Sequence, residues 1–155
     1  MAYHQGEWEK AVRFHNESLN LLRDLGDKQA IAIVLNYLGL VDIERSDLLQ
    51  ARARLEECLA IYRTVENTND IASTLACFAL LSAQEQRPVH AVRLIAAADR
   101  LHAASGLPLP APTGKNLDVI LADLSHTLGD AAYQAAWQEG SAFALDEAVD
   151  LALRI

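Results

Sequence analysis

Glu17-Ser18-Leu19 runs on to Ile31, Leu35 and Leu38-Gly39, and forty residues later Glu57-Cys58-Leu59 runs on to Ile71, Leu75 and Phe78-Ala79. Ala11, Ala51 and Ala91 keep the same interval. Self-similarity at a fixed period of about 20 to 50 residues marks a repeat architecture. Each repeat is too small to bury its own apolar face and must stack on a neighbour.

Within the repeats the apolar spacing is helical. Trp8, Ala11, Val12, Phe14, Leu19, Leu22 and Leu25 follow spacing of three and four as the apolar positions of a first helix expected over Glu7 to Leu25. Gly26-Asp27 breaks that helix, and Asp27 can cap the next. Further helices are expected at Lys28 to Glu44, Leu48 to Val65, Ile71 to Gln86 and from Pro88 to near Ser105-Gly106. Short turns between them imply antiparallel neighbours. The fold class is therefore all-α, a right-handed solenoid of antiparallel helical hairpins.

Leu107-Pro108-Leu109-Pro110-Ala111-Pro112 cannot be helical, because each proline pushes its predecessor toward extended geometry. Beyond it, helices are expected at Lys115 to Leu128, Ala131 to Glu139 and Asp146 to Leu153, with no forty-residue echo. Terminal elements of a repeat array are atypical because they seal an open apolar end. Residues 1–106 thus read as repeats and 107–155 as a proline-rich connection and helical cap on the same domain.

Composition agrees. Only 7 glycines and 4 prolines interrupt a chain that is 52% apolar, so few positions break a helix. The net charge of −8 offers no basic face for displacing counterions from nucleic acid, and it disfavours anionic membranes. No apolar run has transmembrane length, and the N-terminus lacks the pattern of a signal peptide. The expected location is cytoplasmic, with Cys58 and Cys77 as reduced, buried small side chains.

The helix pairs resemble the tetratricopeptide pattern, large-large-small in the first helix and small-large-small in the second. Leu35, Leu38 and Gly39 with Ala51, Leu55 and Cys58 fill one unit; Leu75, Phe78 and Ala79 with Ala91, Ile95 and Ala98 fill the next. Small side chains opposite large ones let helix axes approach to about 8–10 Å. Asp42 and Ser82 stand where that pattern has tyrosine, and the period is forty rather than about 34 residues.

A second resemblance lies in whole phrases. Leu25-Gly26-Asp27-Lys28-Gln29-Ala30-Ile31-Ala32, Gly106-Leu107-Pro108-Leu109-Pro110, Leu128-Gly129-Asp130-Ala131-Ala132-Tyr133 and Ala136-Trp137-Gln138-Glu139-Gly140 are similar to the long-repeat region of bacterial LuxR/MalT-like and AfsR-like signal-transduction ATPase regulators. That resemblance implies a non-catalytic protein-interaction or signal-sensing module, a C-terminal region of a transcriptional regulator. The phosphate-binding loop and recognition helix of such regulators do not occur in these residues. The family tends to place serine before the last helix; Ala144 stands there and leaves that helix poorly capped.

No candidate site carries chemistry. His4, His15, His90, His102 and His126 lack the spacing that sets two imidazoles on one helix face for a metal, so no cofactor or metal is expected. His15 falls where a large buried residue belongs, while His102 and His126 read as surface residues. Glu56-Glu57, Arg52, Arg54 and Asp99-Arg100 read as exposed helical charge. Tyr133 and Trp137, four apart, read first as packing of the cap and second as a partner site. An enzyme is not expected.

Binding is expected on the concave face, beside the packing positions, at Asn36, Tyr37, Leu40, Thr74 and Cys77. The first helix is of the second type, so its usual partner would precede residue 1, and Trp8, Val12, Phe14 and Leu19 form an interface candidate for an upstream stack or a homodimer. The alternatives are a small-molecule effector domain and a purely structural dimerisation module.

Overall fold

The computed structural model describes residues 5–104, 106 and 117–154, apart from the side chains of Gln5, Gly6 and Trp8. The connection expected at Leu107 to Pro112 and the residues Met1 to His4 lie outside the described residues, as does the side chain of Trp8. Every regular element among the described residues is a helix, so the all-α class holds. The helices are α1 (Gln5–Leu25), α2 (Lys28–Glu44), α3 (Leu48–Thr64), α4 (Thr68–Gln84), α5 (Pro88–Ala103), α6 (Leu117–Leu128), α7 (Asp130–Ser141) and α8 (Leu145–Leu153).

The turns explain the period. Gly26, Ser46, Glu66 and Gln86 all adopt positive φ, between 55° and 73°, and stand twenty residues apart. Each is the left-handed residue that ends a helix. The next amide then reaches back to an orphan carbonyl: Asp47 N–H donates to Asp42 O at 2.8 Å, and Arg87 N–H to Ser82 O at 2.9 Å. That next residue also caps the following helix. Asp27 accepts from Ala30 N–H at 3.1 Å, Asp47 from Gln50 N–H at 3.3 Å and Asn67 from Asp70 N–H at 3.1 Å. Arg87 cannot cap in this way, and Pro88 in the first turn of α5 spares an amide that would need a cap. The forty-residue echo is therefore two twenty-residue units, each a helix and its turn.

The chain forms two compact units, Met1–Glu66 and Asn67–Ile155. In the first, α2 packs against both α1 and α3. Ile31, Leu35, Leu38, Ala51, Leu55 and Leu59 are buried, following the large and small positions read from the sequence. Gly39 admits α3 closely: a Cβ there would stand 2.9 Å from Leu55 Cδ2. Cys58 is buried and in no disulfide, its thiol donating to Ala32 O at 3.2 Å.

Polar groups tie this unit as well. Arg54 Nη1 lies 2.7 Å from Asp42 Oδ2, and Nη2 donates to Asn16 Oδ1 at 3.5 Å. Arg54 and Glu57 were expected as free surface charge. Instead Arg54 is largely buried, and Glu57 binds the Arg23 guanidinium through both oxygens, at 2.7 and 3.1 Å. Asp42 is buried too, and burial holds its carboxyl above the ordinary range despite the opposing pull of Arg54.

In the second unit α5 is central, with α4, α6, α7 and α8 all packed on it. Its sequence accounts for this. Ala91, Val92, Leu94, Ile95, Ala96, Ala97 and Ala98 are all buried, and a helix that is apolar nearly all round must be covered on every side. α4 covers one side, and α6, α7 and α8, from the segment expected as a cap, cover others. Gly140 of α7 touches the backbone of α5: a Cβ there would lie 2.7 Å from Arg93 Cα and closer still to its carbonyl oxygen. Arg93 Nε donates to Glu139 Oε2 at 2.6 Å, and Arg100 donates to Phe143 O. His126 is exposed as expected, but His102, on the largely buried α5, is buried.

Candidate functional site on the second helix

One face of α2 is committed to the core through Ile31, Leu35 and Leu38, and the opposite face is open. Ile33, Tyr37 and Leu40, at intervals of four and three, share that open row. Ile33 and Tyr37 are exposed and Leu40 is half-buried. The Tyr37 ring stacks at a tilt on His15 of α1, centroids 4.2 Å apart, and His15 meets Phe14 edge-on at 5.4 Å. Burial lowers the His15 pKa below its ordinary value, so the ring is neutral at pH 7 and the stack is uncharged.

Asn36 adjoins this row. Its Oδ1 is buried and accepts no hydrogen bond among the described residues. A buried acceptor without a donor costs about 1–3 kcal/mol, so it needs an explanation. Asn36, Tyr37 and Leu40 lie side by side on α2, joined by Ile33 and His15, which sequence reasoning had not assigned to the site. Continuing the row of Tyr37 back by one turn would have found Ile33.

Thr74 and Cys77 belong to the second unit and are buried there. The Thr74 hydroxyl donates to Asp70 O at 2.8 Å and the Cys77 thiol to Ser73 O at 3.3 Å, both one turn back along α4. They were expected beside a binding groove; the structure places them inside. Of the interface candidates, Leu19 is buried and Val12 half-buried, whereas Phe14 is exposed. Leu21 and Leu25, which were not expected on a surface, are exposed with it. Tyr133 and Trp137 stack on each other along α7, centroids 6.2 Å apart, both half-buried.

Among the described residues no cluster of histidine, cysteine and carboxylate side chains is placed to hold a metal, and no helix is long and apolar enough to cross a membrane. The open face of α2 presents an aromatic wall and two aliphatic side chains, with the buried Asn36 Oδ1 beside them.

Residues 1–64 match the family model of the tetratricopeptide repeat. The match spans α1 to α3, the elements that build the open face of α2. No curated protein and no solved structure matches the chain. Tetratricopeptide repeats generally mediate contacts between proteins and are generally non-catalytic. The match supports the tetratricopeptide-like repeat and does not reach the regulator resemblance drawn from the phrases of the tail.

Proposed function

We propose that this chain is a protein-interaction module whose tetratricopeptide-like face on α2 takes an extended peptide segment. The observation that carries the reading is the buried, donorless Oδ1 of Asn36 beside the Tyr37–His15 stack. A backbone N–H of the peptide satisfies Asn36, and an apolar side chain lies against Tyr37, Ile33 and Leu40. Neutral His15 adds no charge, so the segment is selected for apolar and hydrogen-bonding groups rather than for acidity.

The phrase-level resemblance supports a setting for this activity: the repeat region of a bacterial, cytoplasmic signal-transduction regulator, where the bound segment conveys the signal.

The test starts with peptides selected from a random display library against the whole chain. Their affinity is then measured by calorimetry for wild type, Asn36→Leu and Tyr37→Ala. Each substitution is expected to weaken binding at least about tenfold, while Asn36→Leu leaves the unfolding midpoint unchanged or raises it. Unchanged affinity in both variants removes this face from consideration.

A further inference from the structure

α1 has a packed inner side and an apolar outer side, and among the described residues only the inner one is covered. Its inner side carries Leu19, buried; Asn16, which reaches Arg54; and Arg23, which pairs with Glu57. Its outer side carries Phe14, Leu21 and Leu25, exposed by 64%, 64% and 78%. At 3.6 residues per turn these three fall within about 40° of one another, a straight row roughly three turns long. Three large apolar side chains in line, all in water, are a patch rather than scattered exposure.

The charges beside the row say what covers it. Lys10 and Asp24, both exposed, flank it on the same side, one near each end. We propose that the outer row of α1 pairs with the same row of a second copy of this chain, antiparallel, about a twofold axis near Glu17. That register sets Phe14 against Leu21 of the second copy, and Leu21 against Phe14. In an antiparallel helix pair, flanking residues on one side meet the same side of the partner. Lys10 therefore meets Asp24 of the second copy, twice per dimer by symmetry. Glu17 meets its own copy at the axis, with Arg13 one turn to either side. Parallel pairing instead sets this side of one helix against the other side of its partner, so Lys10 and Asp24 lose each other. The row thus complements itself in one orientation only.

This surface is distinct from the open face of α2, and the proposal stands without that reading. A single-helix row buries less than the roughly 800 Å² per partner of a standard interface, so association in the micromolar range is expected.

Sedimentation of the whole chain from about 2 to 500 µM tests the proposal. Wild type should show a reversible monomer–dimer equilibrium, and Phe14→Glu should be monomeric throughout. Lys10→Glu and Asp24→Lys should each weaken self-association at least about tenfold, because each turns two attractive pairs into repulsive ones. The double variant should recover it. All these side chains lie in water, so helical circular dichroism and melting midpoint should stay those of wild type. A monomeric wild type, a dimer that survives Phe14→Glu, or a double variant no better than the singles would overturn the proposal.

Discussion

Arg54 holds Asp42 at 2.7 Å across the α2–α3 contact, with only 15% of one side chain and 5% of the other left in water. Such a pair is poor proof of stability, since desolvating two ions cancels much of their attraction. Breaking it is another matter. Asp42→Asn strands a buried guanidinium and should cost about 3 kcal/mol in chemical denaturation, whereas Asp42→Leu with Arg54→Met should be neutral or stabilising.

The same pair makes a prediction about pH. Burial holds the folded-state pKa of Asp42 above the unfolded value, so the folded state binds this proton more tightly. Its contribution to stability is therefore fullest below the ordinary carboxylate pKa and is lost as pH rises through the raised one. Denaturation of wild type and of the Leu/Met double variant from about pH 4 to 7 should show the double gaining on wild type as pH rises. A difference independent of pH would refute the assignment.

Two glycines bring helices together, and they should not be equally sensitive. At Gly140 an added methyl meets the backbone of Arg93, which cannot yield without moving α5. At Gly39 it meets the end of the Leu55 side chain, which can turn aside. Gly140→Ala should cost roughly 2–3 kcal/mol and Gly39→Ala about 1 kcal/mol or less, measured by thermal or urea unfolding.

Three helix ends use a residue ill suited to the left-handed conformation: Ser46, Glu66 and Gln86. Glycine relieves that conformation, as it already does at Gly26. Glu66→Gly and Gln86→Gly should each raise stability by about 1 kcal/mol, and a loss would mean that these side chains hold contacts worth more than the strain.

At α8 the cap is half built. Glu147 accepts from the Ala144 N–H at 3.1 Å, but alanine has no oxygen to return the bond. Ala144→Ser should complete the box and stabilise the chain by about 1 kcal/mol, read as a rise in unfolding midpoint.

Helix class and order were legible in the sequence because apolar spacing and turn residues agree. α2 runs from Lys28 to Glu44, as read. The start of α4 was read at Ile71 because four polar residues precede it, whereas Asn67 captures the Asp70 amide and the helix begins at Thr68. The outer row of α1 was misread. Leu19 and Leu21 are indistinguishable by hydrophobicity, and only the direction of α2 decides which is covered. Asp42 was noted as a departure from the repeat, but its burial follows from Arg54, twelve residues away on the next helix. The forty-residue echo is similarly a matter of side chains, and only the backbone shows the twenty-residue unit inside it.

That twenty-residue unit bears on how such a chain can change length. Each junction leaves one helix through a left-handed residue and enters the next at the same backbone step, so cut points two units apart are interchangeable. Unequal recombination between them would duplicate or delete a hairpin without an exposed carbonyl or a stranded amide at the seam. Single-unit changes would keep the junctions intact but exchange large-faced helices for small-faced ones, and packing, not hydrogen bonding, would select against them.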